Sequence, residues 1–283
     1  MASRVRPARI VAAIAITAAL LYAAAMVYLV TQETRLIFQH GRPLSEARPD
    51  FVYEQVDVPR PDGAKQLAWL IENPGARTWV LFLHGNAATI ASRVNIARYR
   101  ELRGLGLSVM ATEYRGFAGV PGEPSEASVG EDARHAFDYL TRVKQISPTR
   151  IVIYGWSLGS AIAVTLSANV PESALVLEGA MSSVVDIGQR DYPMFPIRLL
   201  IRNPFESIQR IGRIGAPVLF LHSPEDEIIP IAEGRRLFDA APQPKRFVEV
   251  RGGHVYANER DAAVFFGAIR GFLDEYGLLG HQE

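Results

Sequence analysis

The feature that most constrains this chain is the pentapeptide Gly155-Trp156-Ser157-Leu158-Gly159, set between a short apolar run and a helical one. Ile151-Val152-Ile153-Tyr154 is continuous, β-branched and apolar, as expected of a strand buried on both faces. Ala161 to Ala168 has helical spacing. A G-x-S-x-G segment between strand and helix makes a sharp turn that projects the serine hydroxyl, and its glycines let neighbouring backbone approach without a clashing Cβ. The N–H after the serine and the N-terminus of the following helix then face the same point in space, where they favour developing negative charge.

The rest of the chain repeats this alternation. Strands are expected at Tyr53–Val58, Gln66–Ile71, Trp79–Leu83, Leu107–Ala111, Ala174–Leu177, Val218–Leu221 and Phe247–Val250. Helical spacing covers Ala88–Arg103, Ser125–Val143 and Ala262–Tyr276. Alternating strands and helices imply a mostly parallel sheet covered on both faces. Pro61-Asp62-Gly63 joins the first two strands as a hairpin, which adds an antiparallel edge. Ser182 to Ile214 breaks the rhythm with Tyr192-Pro193-Met194-Phe195-Pro196 and no clear strand, and reads as a small helical cap over the C-terminal edge of the sheet.

Candidate partners for Ser157 come from loops after strands, where open α/β sheets bind ligands. Asp226 follows one strand and His254, in Arg-Gly-Gly-His, follows another, giving the order Ser157, Asp226, His254. A serine hydroxyl becomes a competent nucleophile when a base accepts its proton. His254 is expected to be that base, with Asp226 fixing its tautomer. Glu225 and Glu227 flank Asp226, and Glu178 ends another strand, so all three are rival acids. The N–H groups of Leu158 and of Asn86, in Leu83-His84-Gly85-Asn86-Ala87, are the expected oxyanion donors. His84 is expected to be a structural loop residue, and His40, His135, His222 and His281 structural or solvated ones.

Before this body lies a run of 21 residues without charge, Ile10 to Val30, long enough for the roughly 20 needed to cross the hydrocarbon core. A cleaved signal peptide and a buried core helix are the alternatives, both usually shorter in their apolar part. Arg4, Arg6 and Arg9 precede the run and should remain in the cytoplasm, leaving the rest of the chain outside. The expected organisation is an anchor over residues 1–31, a linker over 32–50 and a catalytic domain over 51–283, with the cap at about 182–214.

Composition narrows the chemistry. With no cysteine, disulfides, thiolate metal sites and a cysteine nucleophile are excluded. Thirty basic residues balance 30 acidic ones, so nothing points to nucleic acid. No phosphate loop or metal-ligand spacing is present, and the proposed chemistry needs no cofactor.

Tyr114-Arg-Gly-Phe-Ala-Gly-Val-Pro-Gly-Glu-Pro-Ser-Glu126, His84-Gly-Asn-Ala87 and Gly155-Trp-Ser-Leu-Gly-Ser160 resemble segments of the Bem46-like α/β-hydrolases, relatives of the ABHD13 and ABHD17 groups of serine hydrolases. The resemblance spans about residues 32–276 and implies an α/β-hydrolase fold. It also implies hydrolysis of an ester, thioester or lipid-acyl bond. The chain departs from the family pattern at Ala118 and Ser160, where glycine is frequent, at Trp156, where arginine is, and at Val255-Tyr256, where Asn-Asp is. These departures surround the nucleophile and bear on substrate preference. Apolar cap residues Met194, Phe195, Leu199 and Leu200 suit an apolar acyl substrate. A serine peptidase with the same triad and a non-catalytic binding protein on the same fold are the alternatives.

Overall fold

The computed structural model describes residues 7–43 and 47–280. Arg4, Arg6, His281 and part of the expected linker lie outside the described residues. Eight strands form one sheet: β1 (Glu54–Pro59), β2 (Lys65–Ile71), β3 (Trp79–Leu83), β4 (Ser108–Thr112), β5 (Ile151–Trp156), β6 (Ala174–Glu178), β7 (Val218–His222) and β8 (Lys245–Glu249). Their order is β1-β2-β4-β3-β5-β6-β7-β8. β1 and β2 pair antiparallel, as does β2 with β4, and every later pairing is parallel.

The five strands β3, β4, β5, β6 and β7 are buried at every position, which is why their sequences are continuous apolar runs. Helices α2 (Arg93–Gly104), α9 (Gly253–Arg260) and α10 (Ala262–Glu275) take part in the core on one face. The opposite face is covered by α3 (Glu126–Asp138), α4 (Leu158–Ser167) and α8 (Ile231–Ala240). Ser125 caps α3 by accepting from the Ser128 N–H, and a single π-helical turn over Tyr139–Val143 closes that helix.

Three departures from the sequence expectations matter for the site. The helix expected from Ala88 begins at Arg93, because residues 85–92 form a loop whose Gly85 packs on the Ser157 Cβ. α8 was not foreseen; Gly234 within it gives up helix propensity because His222 Nδ1 would lie 2.3 Å from a Cβ there. The third concerns the boundary placed after residue 31. The N-terminal helix α1 runs unbroken from Pro7 to Phe38, so residues 32–38 of the expected linker are helix, not linker. Its apolar part is exposed, whereas its last turns enter the body: Glu33 and Phe38 are buried, and Phe38 meets Phe205 edge-on at 5.9 Å.

Between β6 and β7 the chain forms α5 (Val184–Asp191), α6 (Ile197–Leu200) and α7 (Ser207–Arg210), the helical insertion over residues 182–214. It is bolted to α1. The Glu33 carboxylate accepts from the N–H groups of Arg202 and Asn203, from Asn203 Nδ2 and from the Arg202 guanidinium, at 2.7–3.1 Å. Burial pushes that carboxyl up, but the four donors outweigh it and hold Glu33 below the usual glutamate range.

Candidate active site

β5 delivers Ser157 into a turn that α4 completes. Ser157 sits at φ +56°, ψ −125°, a strained conformation for a residue with a Cβ. Its N–H donates to the Glu178 carbonyl at 2.9 Å and its own carbonyl accepts from Ser160 N–H at 2.8 Å, which locks the turn from both sides. The turn packs hard against the end of β3. A Cβ at Gly159 would lie 2.0 Å from the Leu83 carbonyl, and one at Gly85 would lie 2.9 Å from the Ser157 Cβ. Both positions need glycine for close approach.

Ser157, Asp226 and His254 come together. His254 Nε2 lies 2.8 Å from Ser157 Oγ, and His254 Nδ1 lies 2.7 Å from Asp226 Oδ2. Asp226 Oδ1 is held by the N–H groups of Ile228 at 3.0 Å and Ile229 at 2.7 Å, which fixes the carboxylate plane. All three side chains are buried. His222 stands behind them, its Nε2 donating to the Ile229 carbonyl at 2.9 Å and lying 3.5 Å from Asp226 Oδ2; burial holds its imidazole below the usual histidine range.

The rival acids turn elsewhere. Glu225 Oε2 accepts from Gly252 N–H at 3.1 Å. Glu178 is clamped by Arg98, with Nε–Oε2 at 2.8 Å and Nη2–Oε1 at 2.5 Å, and accepts from Tyr154 Oη at 2.6 Å. His84 does not approach Ser157 as a base: its Nε2 faces Glu113 Oε2 at 3.1 Å, while Glu113 Oε1 accepts from Ile90 N–H.

The loop after β3 lays Gly85 against Ser157, and Asn86 follows it. Its side-chain Nδ2 donates to the Ile37 carbonyl at 2.9 Å, and the Ala87 N–H donates to the Phe38 carbonyl at 3.3 Å. The end of α1 therefore braces this loop. Leu158 is the first residue of α4, so its N–H has no partner within the helix. Among the described residues, no protein group accepts from the backbone N–H of Leu158 or of Asn86.

One group of residues was missed in the sequence. Trp156 Nε1 donates to the His254 carbonyl at 3.3 Å, the Arg98 guanidinium lies 4.2 Å above the Trp156 ring, and Arg98 Nη2 donates to the Val255 carbonyl at 3.3 Å. Arg98 thus ties the elbow to the histidine turn, and Glu178 neutralises it. Trp156 and Val255, two of the departures from the family pattern, belong to this one network. No group of His, Asp and Glu that could hold a metal ion occurs among the described residues.

The chain was compared with known proteins. The model of the alpha/beta hydrolase family matches residues 80–249. An uncharacterized protein of Mycobacterium tuberculosis, Rv2307c, is 37% identical over 267 residues, covering 93% of this chain and 94% of that protein. Protein bem46 of Schizosaccharomyces pombe is 31% identical over 204 residues, covering 69% of this chain and 67% of that one. The lysophosphatidylserine lipase ABHD12 of Danio rerio is 29% identical over 184 residues, covering 59% of this chain and 48% of that one. Among solved structures, the Pyrococcus furiosus esterase Pf2001 aligns with a TM-score of 0.69 over 83% of this chain and 96% of that one; at 17% identity the likeness is one of fold.

Proposed function

The chain belongs to the α/β-hydrolase family, within its Bem46-like branch, and from that premise we propose that it is a membrane-anchored serine hydrolase cleaving carboxylic ester or thioester bonds of lipid-acyl substrates. The observation that carries the reading is the continuous relay from Asp226 Oδ2 through His254 to Ser157 Oγ, with both contacts below 3 Å.

In this mechanism Ser157 Oγ attacks the substrate carbonyl carbon as its proton passes to His254 Nε2. Asp226 accepts from His254 Nδ1–H, selects the tautomer with Nε2 free, and stabilises the imidazolium. The carbonyl oxygen becomes an oxyanion held by the Leu158 and Asn86 N–H groups. An oxyanion donor of this kind is worth about 100- to 1000-fold in rate. The tetrahedral species collapses, the leaving alcohol or thiol takes the proton from His254, and Ser157 is left acylated. Water, deprotonated by His254, then attacks the acyl carbonyl, and the second collapse releases the acid and returns the proton to Ser157.

Two features favour a lipid substrate. The helix α1 carries the uncharged run Ile10–Val30 with its apolar face uncovered by protein, which supports an anchor with the basic N-terminus inside and the body outside. The ABHD12 relative is by name a lysophosphatidylserine lipase. The test is hydrolysis of 4-nitrophenyl esters, acyl thioesters and peptide anilides of matched chain length by the full-length protein in detergent. Turnover of ester and thioester, rising with acyl length and absent in Ser157→Ala, is expected. Cleavage of the anilides in preference to the esters would overturn the substrate assignment.

A further inference from the structure

The helix α1 and the cap together define a depth. Tyr22 Oη donates to the Met194 carbonyl at 2.7 Å, and the Tyr22 and Phe195 rings stack with centroids 5.1 Å apart and planes 11° from parallel. Tyr22 lies inside the uncharged run, eight residues before Val30. At a rise of about 1.5 Å per residue, the cap meets α1 about 12 Å short of the end of that run. A bilayer ending at Tyr22 would leave only Ile10–Leu21, about 18 Å of helix, against a hydrocarbon core of about 30 Å. If α1 spans, the hydrocarbon must extend past Tyr22, and the cap segment touching Tyr22 then lies within it.

The cap tip has the chemistry this position demands. Met194 is 78% and Leu199 84% exposed, the most exposed large apolar side chains of the cap. Non-helical backbone tolerates hydrocarbon only where its polar groups are satisfied internally. Every carbonyl from Tyr192 to Ile197 accepts a hydrogen bond: from Phe195 N–H, Gln189 Nε2, Tyr22 Oη, Gln189 Nε2 with Ile197 N–H, Leu199 N–H and Ile201 N–H in turn. Pro193 and Pro196 carry no N–H to satisfy. The one charge within residues 192–200 is Arg198, between Ile197 and Leu199, and the next charges are Arg190 and Asp191 before it. Arg190 pairs with Asp191, and Arg198 pairs with Glu206; arginine stems can lie along apolar surface with their heads at the headgroups.

We propose that residues 192–200 insert into the leaflet on the body's side of the membrane, so that the cap is a second lipid contact beside α1. The proposal rests on the reading of α1 as a membrane span. An apolar cavity of about 90 Å³ lies between the two contacts, walled by Val30, Leu36, Ile37, Val184, Ile197 and Ile201. Ile37 is also the residue whose carbonyl holds Asn86. Held at that depth by two contacts, the body would lie against the leaflet and take an ester substrate from the bilayer.

The test places a tryptophan at Met194 or, separately, at Leu199, and a third at Leu20 within α1. The full-length protein is reconstituted in phosphatidylcholine vesicles carrying bromines on the acyl chains, and emission is read against the unsubstituted protein. The native Trp69, Trp79 and Trp156 are buried and give a constant background. Blue-shifted emission quenched by bromolipid, and not by aqueous acrylamide, is expected for Met194→Trp and Leu199→Trp as for Leu20→Trp. Quenching at Leu20 alone, with the cap tryptophans open to acrylamide, would overturn the insertion and leave the anchor standing. No quenching at any of the three positions would overturn the span and the insertion with it. A hydrolysis readout separates these outcomes from failure of the enzymatic reading: Leu199→Asp should lower turnover of a bilayer-embedded ester while sparing a water-soluble short-chain ester.

Discussion

Phe38→Ala tests whether the end of the N-terminal helix is part of the catalytic body. The Phe38 side chain is fully buried and packs against Phe205, at the point where its carbonyl accepts from Ala87 N–H. Truncating a buried phenylalanine costs about 3–5 kcal/mol, from lost transfer energy and the cavity left behind. The surroundings cannot easily collapse into the gap, because Phe38 lies between the cap residue Phe205 and the loop of Asn86 and Ala87. With a urea m-value of about 3 kcal/mol/M for a body of this size, the unfolding midpoint should fall by about 1–1.7 M. The assay is urea denaturation of the full-length protein in detergent, followed by tryptophan emission, with Val27→Ala on the exposed side of the same helix as the control. Val27 is exposed, so its truncation should leave the midpoint within about 0.2 M. A midpoint in Phe38→Ala equal to that of Val27→Ala would refute the docking of the helix end, and with it the bracing of Asn86.

Asp226→Asn should lower kcat by about ten-thousand-fold with little change in KM, because asparagine presents an N–H to His254 Nδ1 and selects the wrong tautomer; Glu225→Gln, which only loosens Gly252, should cost less than about tenfold. Burial raises the Glu172 carboxyl to about 7, partly offset by Ser167. The folded state therefore holds that proton more tightly than the unfolded chain. This contribution to stability is complete below about pH 4.5 and is lost as pH rises through about 7. Glu172→Gln should accordingly gain about 1–3 kcal/mol at pH 8 and little at pH 4.5, read by denaturation at both pH values. A single cysteine at the exposed Asp274, in a chain with no native cysteine, should react with an impermeant maleimide on intact cells; labelling only after lysis would reverse the expected topology.

The meeting of Ser157, Asp226 and His254 was legible because all three stand at strand ends. The elbow requires a strand, a serine between glycines and a helix, all contiguous in sequence; Asp226 follows a fully buried apolar strand, and His254 follows β8, a half-buried edge strand marked by Phe247 and Val248. Choosing Asp226 over Glu178 was a different problem. Glu178 also stands at the end of a buried strand, and what occupies it is Arg98, 80 residues away on α2. Arg98 gave no signal, since a charged residue in a helix is ordinarily solvated and only the packing of α2 against α9 turns it inward. The boundary at residue 31 was misread for a similar reason. Gln32-Glu33-Thr34-Arg35 ends the apolar run, and nothing in that local pattern marks a continuing helix. The helix in fact continues because Glu33 meets four donors from the cap, a pairing across 169 and 170 residues that no local pattern announces.

The central claim is that Ser157 is a nucleophile activated by His254, and the most direct measurement is covalent labelling of the full-length protein in detergent with a fluorophosphonate, followed by peptide mass spectrometry. The account predicts one adduct, on the peptide containing Ser157, abolished by Ser157→Ala and strongly slowed by His254→Ala. An unlabelled Ser157 in folded protein, or labelling that persists unchanged in His254→Ala, would contradict it.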